Sequence, residues 1–239
     1  MLPDEETDKD PPVVKIVPVD GTALVNNQVQ TKLSDILAEI IISTELSKLA
    51  TTTNGGDGLD STFTVAPGFL SVLRCDLAQG NYPEILLEKW DVYDREKTSE
   101  NDRPDGNLFK DQDEMQKFVV LELSNGGQDL EHITLNNAAQ GLAIFNQVAH
   151  AMAMAEKAYS FEHRDLHWGN VLVRESGEKT ISFKHKDEHF EVETLGMQAT
   201  IIDFSLSRMT KDKCDIFNNL SEDEELFKSE GDYQFDIYR

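Results

Sequence analysis

An aspartate and an asparagine five residues apart, Asp165 and Asn170, form the most chemically informative pattern in the chain. They lie in the stretch HRDLHWGN (163–170), and a second aspartate, Asp203, follows a short apolar run. Phosphoryl transfer of the protein-kinase type needs a base that orients the attacking hydroxyl and oxygen side chains that hold magnesium. The sequence supplies these groups in that order. We therefore predict a phosphotransferase site in which Asp165 is the base and Asn170 and Asp203 bind the metal ion.

The other polar and aromatic residues of this loop are less specific. His163 follows a helical pattern and is expected to pack beneath the loop rather than to act in catalysis. Arg164 is expected to anchor the loop electrostatically, and Trp168 is expected to pack. His167 lies two residues after the predicted base, so substrate contact and a hydrogen bond within the loop are both open.

A lysine and a glutamate near the N-terminus form a second pattern. Residues 13–19 (VVKIVPV) are rich in β-branched side chains and predict a strand with Lys15 near its centre. Ser34 and Asp35 offer a helix start, and Glu39 lies in the apolar stretch that follows. A strand lysine held by a helix glutamate can direct its ammonium group toward nucleotide phosphates. The alternative is a pair of ordinary surface charges.

The composition describes an acidic, globular chain. Its 239 residues include 45 acidic and 22 basic side chains, for a formal net charge of −23. Such a surface repels nucleic-acid phosphates and anionic lipid and attracts basic partners, although acidity can also serve solubility alone. We therefore expect no direct nucleic-acid partner and no membrane partner.

Cysteine usage and the N-terminus indicate a reducing compartment. The two cysteines, Cys75 and Cys214, make neither a disulfide framework nor a zinc pattern. Residues 1–12 are acidic and proline-rich, which excludes a signal peptide and predicts a disordered tail. No apolar run approaches the length of a membrane span.

The order of apolar patterns predicts an α+β fold with a boundary near Ser124. The glycine-rich stretch 51–62 is expected to be a flexible loop, because it follows a helix and lacks the Lys-Ser/Thr of a Walker loop. The remaining predicted elements are strands near 69–74, 85–90, 118–123, 171–173 and 199–202, a surface loop over 92–114, a long helix over 137–159 and a solvent-facing hairpin (181–185 and 189–195) within an insertion at 174–198.

A dense acidic run, residues 221–225 (SEDEE), has two interpretations. It is either a solvated face that includes a helix N-terminus, where carboxylates are favourable, or a clamp for a basic peptide. The run alone does not decide between them.

These residues together resemble the haspin family of atypical protein kinases, over nearly the whole chain. The resembling segments are VVKIVPVDG (13–21), EIIISTELS (39–47), NDRPD (101–105), FVVLELSNGGQDLE (118–131), FEHRDLHWGNVLV (161–173) and GDYQFDIYR (231–239). The resemblance implies a bilobal protein-kinase-like fold, with a disordered tail at 1–12, a small lobe at 13–123 and a large lobe at 124–239. It also implies ATP and Mg²⁺ as cofactors, a threonine near the N-terminus of the histone three tail as the mitotic phosphorylation site, and a nuclear, chromosome-associated location.

The resemblance assigns further site residues. Lys15 resembles the phosphate-binding lysine, Glu39 its helix partner and Leu123 the gatekeeper. The expected nucleotide site comprises these three residues with Ser124, Asn125, Gly126, Gly127, Gln128, Asp129, Asp165, Leu166, His167, Trp168, Gly169, Asn170, Asp203, Phe204 and Ser205. The expected contacts of the basic tail are Asp129, His167, Asp223 and Glu225, which favours the clamp interpretation of the acidic run.

The chain departs from common kinase patterns at three places. Asp203-Phe204-Ser205 stands where most kinases have D-F-G, and serine restricts the backbone freedom that a flipping glycine has. No A-P-E motif follows, so control by activation-loop phosphorylation is not expected. At the ends, no glycine-rich loop precedes Lys15, and the chain stops at Arg239. We therefore expect a fold truncated at both ends, with most of the large-lobe helical floor absent, the 137–159 helix partly uncovered, and weak or no activity.

Two other functions stay open. The chain could be a non-catalytic, pseudokinase-like module that binds a basic peptide. It could also be a small-molecule phosphotransferase, since those enzymes use a similar H-x-D-L-H-x-G-N pattern, usually with glycine at the position of Arg164. The acidic run and GDYQFDIYR argue against the latter.

Overall fold

The computed structural model describes residues 11–51, 64–99, 101–106, 108–109 and 115–220. In chain order the elements are β1 (Val13–Val19), α1 (Leu33–Thr51), β2 (Thr64–Val65), β3 (Val72–Gln79), α2 (Glu84–Lys97), β4 (Lys117–Leu123), β5 (Gln128–Asp129), α3 (Ala138–Tyr159), β6 (Val171–Glu175), β7 (Thr180–His185), β8 (Glu188–Glu193), β9 (Met197–Ile201), β10 (Arg208–Lys211) and β11 (Cys214–Phe217). Within these ranges no helix is long and apolar enough to cross a membrane.

The chain forms two compact units. Of the described residues, the smaller contains 13–36, 73–99, 101–106, 108–109 and 115–123, and the larger contains 11–12, 37–51, 64–72 and 124–220. The mixture of helices and antiparallel strands confirms the predicted α+β class. The predicted division into a tail and two lobes stays a prediction.

The smaller unit is built on a three-stranded sheet with the order β1-β4-β3. β1 and β4 are antiparallel, and Lys15 lies opposite Leu121. Phe118 on β4 is buried, and the rings of Tyr82 and Phe109 meet it edge-on, with centroids 5.8 and 5.7 Å away. The β-branched and aromatic content of these strands supplies the apolar side of the sheet.

Two polar groups fasten the loops of the smaller unit. The buried side chains of Gln30 and Gln116 donate to each other, with N–O distances of 2.9 and 2.8 Å. Arg103 donates to both carboxylate oxygens of Asp91 at 2.7 and 2.9 Å and to Asp105 at 2.8 Å. Both groups join residues that are distant in sequence or lie in different elements.

The larger unit contains two three-stranded sheets and a hairpin. The orders are β2-β7-β8 and β5-β6-β9, and β10 pairs with β11. Helix α3 begins at the N-cap Asn137, whose side chain accepts a hydrogen bond from Gln140 N, and ends at Ser160 in a left-handed conformation. Its bounds confirm the helix predicted over 137–159.

The core of the larger unit lies between α1, α3 and the strands that end at the predicted site. Ile42 and Leu46 of α1 pack in one cluster with Ala151 of α3, Ile201 of β9 and Phe204, which follows that strand. Burial of such side chains stabilises the fold by about 25 cal/mol per Å² of apolar surface. The residues next to the predicted metal ligand Asp203 are therefore also core residues.

The strand predicted over 85–90 is wrong, because this segment is the first half of helix α2. Pro83 precedes the helix, Glu84 lies in its first turn, and Arg95 and Lys97 lie in its last turn, all of which favour a helix. The apolar run at the start of the segment is compatible with a buried strand. In the structure it is part of a helix in which only Leu87 is buried. The loop predicted to begin at 92 therefore begins after Lys97.

The strand predicted over 69–74 begins later, at Val72. Phe69 instead forms an isolated parallel bridge with Ile201, and Gly68 O accepts a 2.8 Å hydrogen bond from Ile201 N. This pairing belongs to the larger unit, whereas β3 from Leu73 onward belongs to the smaller one. The apolar stretch 69–74 is therefore divided between the larger and the smaller unit.

The hairpin predicted within 174–198 is present as β7 and β8, but it is not solvent-facing on both sides. Phe183 and Val192 are 1% and 6% exposed and belong to the core cluster that contains α3. Glu191 and Glu193 on the other face of β8 are exposed. Alternation predicts a half-buried strand, and here the buried half packs on the helix.

Several predictions concern residues outside the described ranges. They are the acidic run 221–225 with Asp223 and Glu225, the segment GDYQFDIYR (231–239), most of the disordered tail and most of the loop over 51–62.

Candidate active site

The loop around Asp165 is closed by the side chain of Asn170. Asn170 is 7% exposed, and its amide group donates a 2.9 Å hydrogen bond to the carbonyl oxygen of Asp165. The backbone N–H of Asn170 donates to His167 O at 3.0 Å. Because the NH₂ group is used within the loop, Oδ1 is the Asn170 atom that this bond leaves for a cation, and amide oxygens are suitable ligands for magnesium.

The environment of Asp165 favours its protonated form. Partial burial raises the pKa of its carboxyl above the ordinary value, and the neighbouring Asp203 carboxylate also raises it. His167 and His163 act in the opposite direction without cancelling the effect. A raised pKa brings a carboxylate closer to the proton affinity that a general base needs near neutral pH.

His167 is held by its own loop. Its Nδ1 accepts a 3.1 Å hydrogen bond from Gly169 N, at the start of a 3-10 turn over Trp168–Asn170. A Cβ atom at position 169 would lie 2.8 Å from His167 Cε1, so only glycine allows this ring position. The structure therefore shows the internal hydrogen bond, one of the two roles that the sequence left open, while the exposed ring stays accessible to a substrate.

Asp203 follows β9 in a left-handed conformation, with φ of 63°. Its Oδ1 accepts hydrogen bonds from Ser205 N at 3.2 Å and Ser205 Oγ at 2.8 Å. Ile202 N donates to Asn170 O at 3.0 Å, which joins the end of β9 to the loop. This bond and the exposed position of Asp203 make a carboxylate and an amide available as an oxygen donor set for a divalent cation.

His163 packs beneath the loop. It is 2% exposed, its Nε2 lies 3.1 Å from Ile202 O, and Phe161 and Phe204 flank its ring with centroids 6.3 and 5.6 Å away. Burial lowers the pKa of the imidazole, so the neutral ring is favoured. Ser207, which sequence reasoning missed, is 1% exposed and donates a 2.9 Å hydrogen bond to His163 O.

Arg164 and Glu162 connect the loop to strand β10. Arg164 has φ of 68°, and its Nε donates to Glu162 Oε2 at 2.9 Å. Glu162 and Arg208 exchange two backbone hydrogen bonds of 2.8 and 2.9 Å. Arg164 thus forms a local ion pair with Glu162, and its role as an electrostatic anchor of the loop stays a prediction.

The exposed residues of the loop correct one prediction. Trp168 is 64% exposed and Leu166 is 41% exposed. The prediction that Trp168 packs is therefore wrong for the part of the chain that the structure describes. Both side chains are accessible to a ligand.

The segment after β4 passes so close to β6 that positions 126 and 127 have no room for a side chain. A Cβ at Gly126 would lie 2.7 Å from Leu172 Cδ1, and one at Gly127 would lie 2.3 Å from Val173 O, where φ is also +98°. Asn125 Oδ1 accepts a 3.0 Å hydrogen bond from Gly127 N. Ser124 and Ser71 exchange a backbone bond of 2.9 Å and a side-chain bond of 3.1 Å. These contacts fix the backbone of 124–127 next to β6.

Asp129 is engaged by His132, which sequence reasoning missed. Its Oδ1 lies 2.6 Å from His132 Nδ1 and accepts a 3.0 Å bond from His132 N. This contact lowers the pKa of Asp129 and raises that of His132. The spacing D-x-x-H at a turn was the available signal.

The predicted site residues fall into three groups. The larger unit holds Asp165, His167, Asn170 and Asp203, joined by the bonds described above, together with Glu39 on α1 and the neighbours Gln128, Phe204 and Ser205. The smaller unit holds Lys15 on β1 and Leu123 on β4. The pairing of Lys15 with Glu39 stays a prediction, and Asp223 and Glu225 lie outside the described residues.

Comparison with protein families matches residues 4–239 of the chain to the haspin like kinase domain. The chain is 40% identical over 227 residues to a serine/threonine-protein kinase haspin homolog of Drosophila melanogaster, which covers 95% of this chain and 38% of that protein. It is 40% identical over 235 residues to serine/threonine-protein kinase haspin of Bos taurus, covering 98% and 28%. It is 36% identical over 228 residues to a haspin homolog of Arabidopsis thaliana, covering 95% and 36%. The chain thus spans between 28% and 38% of the length of these relatives.

Proposed function

The chain belongs to the haspin-like kinase family, and from this premise we propose that it transfers the γ-phosphoryl group of ATP to a serine or threonine hydroxyl of a basic histone three tail. The observation that carries the proposal is the closed loop in which Asn170 binds Asp165 O and accepts a bond from Ile202, next to Asp203. In this proposal Asp165 is the base and Asn170 and Asp203 are the oxygen donors, and these hydrogen bonds join the loop of the first two to the strand end that precedes the third.

Asp165 would act on the substrate hydroxyl. Its carboxylate orients the hydroxyl and accepts its proton while the new O–P bond forms and ADP leaves with the electrons of the broken bond. Because its pKa is raised, the protonated fraction grows as the pH falls toward that pKa, and the rate of transfer should fall with it. The acidic limb of the pH–rate profile should therefore lie above that of an ordinary aspartate.

Asn170 and Asp203 are the residues that would hold magnesium, which neutralises charge on the nucleotide phosphates when bound. The donor set fits a hard cation, because the Asn170 NH₂ group is already bound within the loop and Ser205 holds one oxygen of Asp203 in place. Lys15 on β1 and Glu39 on α1 are proposed to direct an ammonium group to the phosphates.

The charge of the protein supports a basic substrate. A net charge of −23 attracts a lysine- and arginine-rich tail. Asp129, whose lowered pKa keeps it ionised, and the exposed His167 are proposed tail contacts beside the base, and Asp223 and Glu225 are proposed to extend them. A nuclear, chromosome-associated location is part of this proposal, because it is where such a tail is found.

The test is nucleotide titration together with phosphate transfer to a histone three tail peptide. We expect the parent chain to bind ATP in a magnesium-dependent way and to label a threonine at a rate above background, which is compatible with the weak activity that the sequence predicts. Asp165→Asn should keep nucleotide binding and lower transfer by about 10²–10⁴-fold, the usual share of a general base. Asp203→Asn, which tolerates the left-handed backbone, should lose the magnesium-dependent part of nucleotide binding.

Two outcomes would contradict the proposal. Tail binding without magnesium-dependent nucleotide binding would identify a binding module. Phosphorylation of choline or an aminosugar, with no transfer to the peptide, would identify a small-molecule phosphotransferase.

A further inference from the structure

Helix α1 contains a buried carboxylate that the proposed reaction does not use. Glu45 is 7% exposed and lies six residues after Glu39, less than two helical turns away. Burying a charged group is costly unless partners compensate for the lost water. Its partners therefore indicate why the position is acidic.

Three elements meet at this carboxylate. Lys211 Nζ, at the end of β10, lies 2.7 Å from Glu45 Oε1, and Lys48 Nζ, on α1 itself, lies 2.6 Å from the same oxygen. The hydroxyl of Tyr159, the last residue of α3, lies 3.5 Å from Oε2. Of these contacts, the bond to Lys48 joins residues of one helix, whereas those to Lys211 and Tyr159 join different elements.

The two lysines keep the carboxyl ionised. Burial alone would raise its pKa, but the hydrogen bonds and charges of Lys211 and Lys48 outweigh burial and lower the pKa below the ordinary value. The ion pair is therefore present at neutral pH in the unmodified chain.

Strand β10 is in turn attached next to the loop of residues 163–170, here called the catalytic loop, and it follows Asp203 in the chain. Arg208 at its start follows Asp203 by five residues and exchanges two backbone hydrogen bonds with Glu162, three residues before Asp165. The side chain of Arg208 also contacts Glu162 at 3.4 Å and Asp215 of β11 at 2.8 Å. The ion pair between Glu45 and Lys211 therefore connects α1 to a strand that is hydrogen-bonded close to Asp165 and follows Asp203 in the chain.

We propose that Glu45 is a positioning residue, whose ion pair with Lys211 holds α1, and with it Glu39, to the β10–β11 hairpin beside the catalytic loop. This role rests on the proposed kinase function, since Glu39 matters there as the partner of the nucleotide-binding lysine. It requires no added phosphate group, because both charges belong to the unmodified chain.

The two lysines provide a matched comparison. Lys211→Met removes the charge that joins two elements, Lys48→Met removes an equal contact to the same oxygen within one helix, and Lys211→Arg keeps the joining charge. Amide hydrogen exchange measures the attachment without any need for activity, since amides in a loosened element exchange faster.

In Lys211→Met we expect exchange across 208–217 and across 37–51 to accelerate by at least about tenfold. Lys48→Met and Lys211→Arg should leave it within about twofold of the parent. Magnesium-dependent ATP affinity should follow the same order, with a raised KM for ATP and a smaller change in kcat. If Lys211→Met folds poorly, Glu45→Gln takes its place, because glutamine keeps the shape of the side chain. It should show the same acceleration of exchange and the same loss of ATP affinity.

Equal exchange in Lys48→Met and Lys211→Met would overturn the proposal, because Glu45 would then be an ordinary stabilising buried charge. Accelerated exchange with unchanged ATP affinity in Lys211→Met would also overturn it, since the attachment would not act through Glu39. If the parent chain shows no ATP binding, the kinase function fails, and the exchange measurement still decides whether the ion pair joins the two elements.

Discussion

At the scale of single residues, the fold destabilises the charged form of the group that the proposed reaction needs. Asp165 is partly buried, and burial together with Asp203 raises its pKa. A carboxyl group whose pKa is higher in the folded than in the unfolded chain lowers stability at neutral pH. Such a cost is common where function rather than stability selects the residue.

The first prediction concerns the stability of Asp165→Asn. Below the unfolded pKa the carboxyl is protonated in both states, so it contributes nothing. As the pH rises from there through the raised folded pKa, the folded chain retains the proton longer, and the unfolding free energy of the parent falls. Urea unfolding should therefore show Asp165→Asn to be more stable than the parent at pH 7, with a difference that shrinks toward pH 4.

Asp215→Asn is the matched control, because hydrogen bonds from Thr210 and Arg208 lower the pKa of Asp215. The sign is reversed for this group: its contribution is present above the unfolded pKa and is lost as the pH falls through the folded pKa. Its substitution should destabilise the chain at pH 7. A destabilised Asp165→Asn at neutral pH would show that the carboxylate is a net structural contact.

Motif spacing gave the order and the separation along the chain of Asp165, Asn170 and Asp203, whose roles as base and metal ligands stay a prediction. It could not show that Asn170 donates to Asp165 O, or that Gly169 leaves room for the His167 ring. Those contacts depend on the path of the backbone, which residue types alone do not give. The prediction that Trp168 packs was wrong, because burial of a side chain depends on whether residues from other parts of the chain pack against it.

At the scale of elements, one side chain connects the longest helix to the strand that leads to Asp203. Gln147 on α3 is 2% exposed, donates to Met197 O at 2.9 Å and accepts from Ala199 N at 2.9 Å. Both partners are backbone groups of β9. A glutamine is suited to this position because its amide offers a donor and an acceptor.

The second prediction is that Gln147→Leu destabilises the chain by about 2–4 kcal/mol, because it leaves a buried carbonyl and a buried N–H without partners. Chemical denaturation measures the loss. Gln140→Leu is the control, since Gln140 is on the same helix and its side chain also bonds two backbone groups, Asn136 N at 2.9 Å and Leu195 O at 3.4 Å, but in an exposed position. It should change stability by no more than about 1 kcal/mol. Equal effects of the two substitutions would contradict a special role for the buried amide.

Helical periodicity predicted α3 correctly, because its apolar positions repeat over 22 residues. The same method failed at 85–90, where a short apolar run at the start of α2 matches a strand as well as a helix. For the hairpin β7–β8, alternation gave the strands but not what they pack on. Gln147 gave no signal, since a glutamine on a helix is ordinarily a surface residue.

At the scale of the whole molecule, charge is the dominant property. The formal net charge is −23 on 239 residues, and negative groups outnumber positive ones about two to one. A field of one sign acts on approach and affinity of a charged partner more than on the fold itself. The net charge was predictable from the composition alone, because counting charged residues requires no structure.

The third prediction is that the KM for a basic histone three tail peptide rises several-fold when KCl increases from about 0.05 M to about 0.5 M. A higher salt concentration shortens the distance over which the acidic surface attracts the basic peptide. Initial-rate assays at saturating ATP measure it. A peptide with the same threonine and neutral flanking residues is the control, and its KM should change little. An equal response of the two peptides would mean that the acidic surface does not attract the tail.

The reciprocal amide pair of Gln30 and Gln116 in the smaller unit has an evolutionary consequence. Each amide satisfies the other inside the protein, so an apolar residue at one position alone would leave the other with buried, unpaired groups. Both amides also bond the backbone, Gln30 to Gly21 N and Ala23 O and Gln116 to Val19 O, so replacing both by apolar residues would leave those groups without these partners. Among relatives of this chain, the two positions are therefore expected to change together, and only to pairs of polar side chains that keep both sets of bonds.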